Sequence, residues 1–521
     1  MIAFSNYNSY LISWQIYPTK IVGILSSNCF VFSSLRENRN NSKKGTLTMK
    51  EYDLVIIGGG SGGLVVASAA SQLKAKVALV EKHRLGGDCL WYGCVPSKSL
   101  IHASRMAYQV QNSGNFGVYS QDVEIKFDQV IRHVDNVIST IEPHDSPERF
   151  RGLGVEVIFG DGKFINKNTF EVDGRQLQAR NFVISTGSSP KIPDIEGLKE
   201  VGFITNEQVF SLRELPKSMV IMGGGAIACE LGQALRRLGS KITIIASRSQ
   251  LLAKEDPEAS KIIENQFQEE GIRIIKSAKA EKVELIDGKK VVFVLGEKLI
   301  AEEILVCVGR TPNIKSLDLE KANVDYNQQG IKVNEKLQTT NKKIYGCGDV
   351  IGGYQFTHVA GYEATIVLQN ALFFPSKKAD YRVIPYGIFT SPELARVGLL
   401  ESQARNIYGD NIIVLKQEIQ GIDRNQTEGK ITGFAKIITT LKGDILGATI
   451  IGESAGELIN EIILAMKNNL KVSSLTGIHI YPTLSEINSK TALLFTKQNY
   501  AKNLTLQNLL NNFFSFRRWL E

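Results

Sequence analysis

From Tyr52 onward, short runs of aliphatic and β-branched residues alternate with stretches of helical periodicity. That is the pattern of layered α/β structure. Asp53-Leu54-Val55-Ile56-Ile57 reads as one continuous apolar strand, as a strand covered on both faces of a parallel sheet must be. A Gly-rich turn over 58–63 follows, then an Ala-rich helix over 64–73 and a strand over Lys76–Glu81. The same unit recurs as a strand over Met219–Met222, a turn over Gly223–Gly225, a helix over 226–238 and a strand over Lys241–Ala246. Two copies of one βαβ unit are an internal duplication and not a solenoid. Beyond residue 380 the pattern changes to strands over Ile431–Thr439 and Ile445–Ile451 followed by a helix over Gly456–Asn468, an α+β arrangement.

Both turns carry dinucleotide chemistry. In Gly58-x-Gly60-x-x-Gly63 the first glycine makes the tight turn, the second lets backbone approach a pyrophosphate, and the third lets helix and strand pack closely. Glu81, at the end of the following strand, is placed to accept from ribose hydroxyls. The second turn is Gly223-x-Gly225-x-x-Ala228, with alanine in the tolerated third place. Here no acid ends the next strand; Ala246 is followed by Ser247 and Arg248. A hydroxyl and a guanidinium suit a 2′-phosphate that a carboxylate would repel, so this half is expected to take NADPH, with NADH possible. Two such sites on one chain suggest that one cofactor passes electrons to the other.

Composition narrows the field. With 521 residues, 43% apolar and 22% charged, the chain is globular and long enough for three or four domains of ~150 residues. Six cysteines exclude a small disulfide scaffold, and no apolar run reaches the roughly 18 residues of a spanning helix. The net charge of +8 falls half on residues 1–48 and half on all the rest; a body this balanced argues against nucleic acid as a partner. The first 48 residues are Ser-, Asn- and Tyr-rich, with Glu37 their one acid. They read either as a transit peptide, which would place the chain in an organelle, or as sequence upstream of a start at Met49. Few arginines favour the second reading, and with it a cytoplasmic protein.

Between the first βαβ unit and its continuation lies Gly86-Gly87-Asp88-Cys89-Leu90-Trp91-Tyr92-Gly93-Cys94-Val95-Pro96-Ser97-Lys98. Zinc pairs can be spaced like these cysteines, but no second Cys/His pair completes four ligands. On a regular helix the two Cα atoms would be too far apart for a disulfide, so the turn must be distorted, for which Gly93 and Pro96 are suited. A thiol at a helix N-terminus loses its proton more readily, and the pair reads as a redox-active dithiol.

At these residues the sequence resembles the flavin-dependent pyridine nucleotide-disulfide oxidoreductases, among them dihydrolipoamide dehydrogenase, glutathione reductase and mercuric reductase. The resemblance spans about 52–498. It rests on Gly58–Gly63 with Glu81, Cys89 to Lys98, Thr186-Gly187, Gly223 to Glu230, Gly309-Arg310-x-Pro312-Asn313 and Tyr345-Gly346-Cys347-Gly348-Asp349, in the family's order. It implies two Rossmann-like domains, one for FAD and one for NAD(P), and a C-terminal α+β dimerisation domain. The expected boundaries are an N-terminal extension over 1–48, FAD domain over 52–192 and 316–378, NAD(P) domain over 193–315, dimerisation domain over 380–498 and an amphipathic tail over 499–521. It further implies electron flow from NADPH through FAD to a Cys89–Cys94 disulfide, and from there to a small-molecule or metal-ion acceptor. Cys94 would lie beside the flavin and Cys89 would meet substrate. Lys98 would pair with Glu230 near the flavin, Asp349 would contact the ribityl chain, and a homodimer would complete the site.

One segment departs from the family. Disulfide-reducing members carry His-Pro-Thr near the C-terminus, followed by Glu. Here the segment is His479-Ile480-Tyr481-Pro482-Thr483-Leu484-Ser485-Glu486. Tyr481 stands where the imidazole should, and a phenol with pKa of about 10 is a poor base at neutral pH. Glu486 keeps its place without its partner. His479, in a strand, would face the same way as Tyr481 but ~7 Å away. A soft metal ion needs no proton donor to a leaving thiol, so the chain resembles most the mercuric-reductase-like members. It lacks the C-terminal cysteine pair of mercuric reductases, since no Cys follows Cys347. A lipoamide or other disulfide reductase, and a quinone or diaphorase-type reductase that bypasses the dithiol, are the alternatives. Cys29, Cys229, Cys307 and Cys347 read as buried, inert thiols. In the tail, Leu506, Leu509, Leu510 and Phe513 share one helical face. Such stripes usually face a core, so packing on the body or dimer is expected over membrane contact.

Overall fold

The computed structural model describes residues 51–120 and 123–521; the expectations for 1–48, and for Cys29, lie outside the described residues. Strand β1 (Tyr52–Ile57) runs parallel to β2 (Val77–Glu81), with Leu54 opposite Val77 and Ile57 opposite Val80. On its other side β1 runs parallel to 175–184, which also pairs with 344–346. Strand 156–159 adds to the far edge of β2. Leu54, Val55 and Ile56 are fully buried, so the apolar run sits where both sheet faces are covered.

Helix α1 (Ser61–Gln72) crosses from β1 to β2, starting three residues earlier than the sequence pattern indicated. Glycines at 62 and 63 have weak helix propensity, but both are buried in the first turn. Two helices follow where the cysteines lie, α2 (Gly87–Trp91) and α3 (Cys94–Gln111). The chain breaks between them at Tyr92 and Gly93, the distortion that the cysteine spacing demands.

The second parallel sheet has strand order 273–275, 241–245, 218–222, 303–306. Helix α4 (Ala226–Arg237) crosses it, as the duplicated pattern predicts. A three-stranded antiparallel meander over 282–301 packs against this sheet. Strand 344–346 returns the chain to the first sheet, and helix α5 (Thr357–Leu372), which follows it, lies against α1. The last sheet is antiparallel, in the order 385–388, 393–398, 445–452, 434–440, 412–418. It is covered by helix 455–467 and by α6 (Glu486–Lys502). The strand expected from Ile431 begins only at Phe434, after Gly433.

Helix α7 (Leu504–Leu520) ends the chain, and none of its residues is buried. Of the packing expected on the body or the dimer, the half that concerns its own chain is corrected, since its leucines and phenylalanines cover no core of that chain; the dimer half concerns a second copy. Among the described residues, no helix is long and apolar enough to cross a membrane.

Candidate active site

The dithiol is held against the first nucleotide turn by two glycines. A Cβ on Gly87 would lie 2.7 Å from the Cα of Gly60, so only glycine lets the start of α2 touch the turn. Arg84 stacks on Trp91 at 3.6 Å and donates to the Tyr92 hydroxyl at 2.8 Å, and the Trp91 indole donates to Leu85 O at 2.7 Å. These contacts fix the loop between the cysteines. Cys89 is half-buried, and Cys94 opens α3 with an exposed side chain.

The two thiols share a proton unequally. The hydrogen bond donated by the Cys89 thiol, with help from the Thr357 hydroxyl and the Lys98 charge, brings Cys94 down to about 6 against the penalty of burial. The same hydrogen bond, reinforced by burial, pushes the Cys89 thiol far above the ordinary range. The structure holds both cysteines free and not as the expected disulfide, and at neutral pH this reduced pair is one thiolate, on Cys94, and one thiol, on Cys89. Thr357 Oγ1 sits 3.3 Å from Cys94 Sγ. The sequence reading missed Thr357: it lies 263 residues from Cys94 in no motif, and only the packing of α5 against α1 delivers it. Replacing Thr357 by valine is expected to raise the pH midpoint of Cys94 alkylation in fully reduced protein by about one pH unit. Peptide mass spectrometry of iodoacetamide-treated samples reads this. A midpoint that stays near 6 in the valine variant would remove Thr357 from the groups holding the thiolate.

One turn into α3, Lys98 Nζ meets Glu230 Oε2 at 2.9 Å and lies over the Phe389 ring at 4.4 Å. Glu230 Oε1 accepts from Phe389 N at 2.9 Å. This buried carboxylate therefore ties the dithiol helix, α4 and the loop after 385–388 to one point. Phe389 was not legible in the sequence, because its role is carried by a backbone N–H and an aromatic face.

The nucleotide turns have the shape their spacing requires. A Cβ on Gly60 would meet nothing nearer than 3.9 Å, and one on Gly225 nothing within 4 Å. Each faces open space at the N-terminus of a helix, the cradle a pyrophosphate needs. Ala228 is buried beneath the second turn. Glu81 accepts from Gly59 N at 2.7 Å and His83 N at 2.9 Å, so its carboxylate sits at the rim of the first turn. Ser247 and Arg248 are exposed just past strand 241–245. The residues present fit FAD at the first turn and NAD(P)H at the second.

Thr186 and Asn313 exchange hydrogen bonds at 2.7 and 2.9 Å, and strand 188–190 pairs antiparallel with 310–312 beside them. Gly187 and Gly309 flank this crossing. Asp349 accepts from Ser188 Oγ at 2.6 Å. Arg310, whose side chain the sequence reading did not single out, donates to the same hydroxyl at 2.7 Å and forms ion pairs with Asp88 at 3.2 Å and Asp349 at 3.5 Å. Gly348 N donates to the buried Glu363 at 2.7 Å, whose carboxyl burial pushes up to about 7. Cys229 and Cys347 are buried, and burial raises both thiols. Cys307 is half-buried rather than buried, and is pushed up to about 12.

The C-terminal trio is not assembled as the sequence suggested. Residues 477–482 form no strand, so the same-face geometry expected of His479 and Tyr481 does not arise. Tyr481 donates to Asp423 at 2.9 Å, whose charge raises the phenol further. His479 contacts Glu461 at 3.2 Å. Glu486 leaves Oε2 buried without a partner. None of the three hydrogen-bonds to Cys89 or Cys94 of its own chain. Their segment presents Ile478, Ile480 and Tyr481 to the outside.

Two glycine-cradled turns, a dithiol in one proton-sharing pair and a cation–carboxylate link between domains define a flavin- and nicotinamide-dependent oxidoreductase. The chain belongs to the pyridine nucleotide-disulphide oxidoreductase family, whose model matches residues 52–364, with the family's dimerisation domain matching 384–492. Mercuric reductase of Staphylococcus aureus is 34% identical over 86% of this chain and 83% of its own. Dihydrolipoyl dehydrogenase of Chlamydia trachomatis is 32% identical over 85% of this chain and 96% of its own. The Cu(II) complex of the HOCl-induced flavoprotein disulfide reductase RclA from Escherichia coli superposes with a TM-score of 0.77, at 28% identity, over 86% of this chain and 100% of that one. The protein is thus an FAD-dependent enzyme of this family that uses NAD(P)H, and its dimerisation domain supports a homodimer.

Proposed function

We propose that the protein uses NADPH to reduce a soft metal ion at Cys89 and Cys94. The observation that carries this reading is Tyr481: its phenol is tied to Asp423 and raised by it, so the segment that should bring a base to a leaving thiol brings none. A thiophilic cation needs no such base. It displaces the proton of Cys89 as it binds, because a metal takes thiolates and not thiols. Cys94, exposed and already a thiolate, captures it first, which reverses the expectation that Cys89 is the thiol that meets substrate. Bound FAD supplies the two-electron relay between nicotinamide and dithiol. For Hg(II) the balance is NADPH and Hg(II) going to NADP⁺, H⁺ and Hg(0). Relatives named mercuric reductase and a neighbour solved with Cu(II) support the metal class. Ser247 and Arg248, with no acid beside them, support NADPH over NADH.

His479, in the exposed segment and held by Glu461, favours a second reading, a disulfide acceptor served by the partner subunit. The deciding experiment follows NADPH oxidation with Hg(II), Cu(II), lipoamide, oxidised glutathione and a quinone, in wild type and Cys89→Ser, with NADH in parallel. The proposal expects metal-dependent turnover that Cys89→Ser loses and that NADH supports poorly. Rapid turnover on a disulfide with none on metals would put His479 in place of the missing base. Quinone turnover unaffected by Cys89→Ser, with no metal activity, would make the dithiol a bystander.

A further inference from the structure

We infer that α7 docks the enzyme on an anionic membrane surface. Leu506, Leu509, Leu510, Phe513, Phe516 and Leu520 fall on one side of its helical wheel, opposite Asn508, Asn511, Asn512 and Ser515. This is the division of an interfacial helix. Apart from the half-buried Leu510, near the junction with α6, the apolar side is left open by its own chain: Leu509 is 63% exposed, Phe516 56% and Leu520 62%. Aromatic rings crowd the end, with Phe513 against Phe514 and Phe516 against Trp519, and such rings favour the headgroup level of a bilayer.

Charge selects the occupant. From Ile487 to Leu520 the sequence contains Lys490, Lys497, Lys502, Arg517 and Arg518 and not one Asp or Glu. A second copy of this helix would bring more cations to the contact, and the one acid of the tail, Glu521, is already paired with Arg517 at 3.1 Å. A surface of anionic headgroups answers both the apolar side and the charge. Arg517 lies within the apolar arc, where its aliphatic stem can run along the acyl boundary while its guanidinium pairs with Glu521, leaving Arg518 and the three lysines to meet phosphate. No helix among the described residues spans a membrane, so α7 lies on the surface, about 25 Å along its axis. The inference is independent of the electron acceptor.

The test is co-sedimentation of the flavin-loaded full-length chain with vesicles of phosphatidylglycerol mixed into phosphatidylcholine, and with pure phosphatidylcholine. A chain ending at Lys502 and the double variant Arg517→Glu/Arg518→Glu are compared, with mass by light scattering and NADPH oxidation as controls. The full chain is expected to pellet with the anionic vesicles and be released by salt. Each cation at the surface is worth about fivefold in binding, so charge reversal of two should lower the partition by at least about tenfold, with mass and turnover unchanged. Equal pelleting of all three proteins, or none by any, overturns the inference. A halved solution mass on removal of α7 also overturns it, by assigning the helix to a second copy. Should the truncated chain fail to fold, the double variant alone still decides.

Discussion

Serine at position 94 is expected to lower metal-dependent NADPH oxidation at least about a thousandfold, since it removes the one group that is a nucleophile at neutral pH. Cys89→Ser is expected to match it in turnover and differ from it in chemistry. A serine hydroxyl at 89 still donates toward Cys94, so the Cys94 thiolate persists and its alkylation midpoint stays near 6. In Cys94→Ser the remaining thiol has lost the acceptor to which its proton was given. Cys89 then alkylates slowly at neutral pH and speeds up only above the ordinary thiol range near 8.5, because burial still raises it. The pH dependence of the wild type follows from the same pair. Cys94 is depressed, so the thiolate is half populated at about 6 and nearly full by neutral pH. Below that midpoint, metal capture should fall about tenfold per pH unit. Stopped-flow metal capture and iodoacetamide labelling measure the two halves separately. Equal labelling curves for the two serine variants would show that the thiols do not share a proton as described.

What could be read from the residues was whatever is written locally. β1, its turn and α1 were legible because a buried parallel strand, three spaced glycines and a helix lie within one short stretch. The duplicate at Ser218 was legible for the same reason, and the break between α2 and α3 followed from the reach of a disulfide alone. The pairing of Lys98 with Glu230 was visible only through the family resemblance, since 132 residues separate them. Thr357 and Phe389 escaped because nothing in their neighbourhoods marks them, and the side chain of Arg310 because its motif does not say what it touches; each acts through a surface that distant segments make together. His479 and Tyr481 show the reverse failure. Spacing by two means a shared face only in a strand, and the chain there is irregular, so the two side chains find separate partners in Glu461 and Asp423. For α7 the stripe was legible, and of the two packings expected for it, on the body or on the dimer, the first does not occur.

The second large effect is expected at Gly63. A Cβ there would lie 2.0 Å from the carbonyl oxygen of Gly58 and 2.7 Å from Ser185 Oγ. The first contact is with backbone, which cannot swing aside as a flexible side chain could. Gly63→Ala must therefore push α1 off β1, at a cost of about 3 kcal/mol or more, and lower the thermal midpoint by roughly 6–12 °C. Flavin content should fall with it, because the displaced helix no longer presents its N-terminus to the turn. Two neighbours separate folding from binding. Gly60 has negative φ and nothing nearer than 3.9 Å to a new methyl group, so Gly60→Ala should fold with the wild-type midpoint of the flavin-free protein and fail to hold FAD. Gly225 is alike in backbone and in open space, so Gly225→Ala should keep its FAD and show a raised KM for NADPH alone. Thermal melts of flavin-stripped protein, flavin absorbance per chain and coenzyme titrations distinguish the three variants. A Gly63→Ala protein that melts normally and carries a full complement of flavin would mean that the first turn does not hold strand and helix together in the way its geometry indicates.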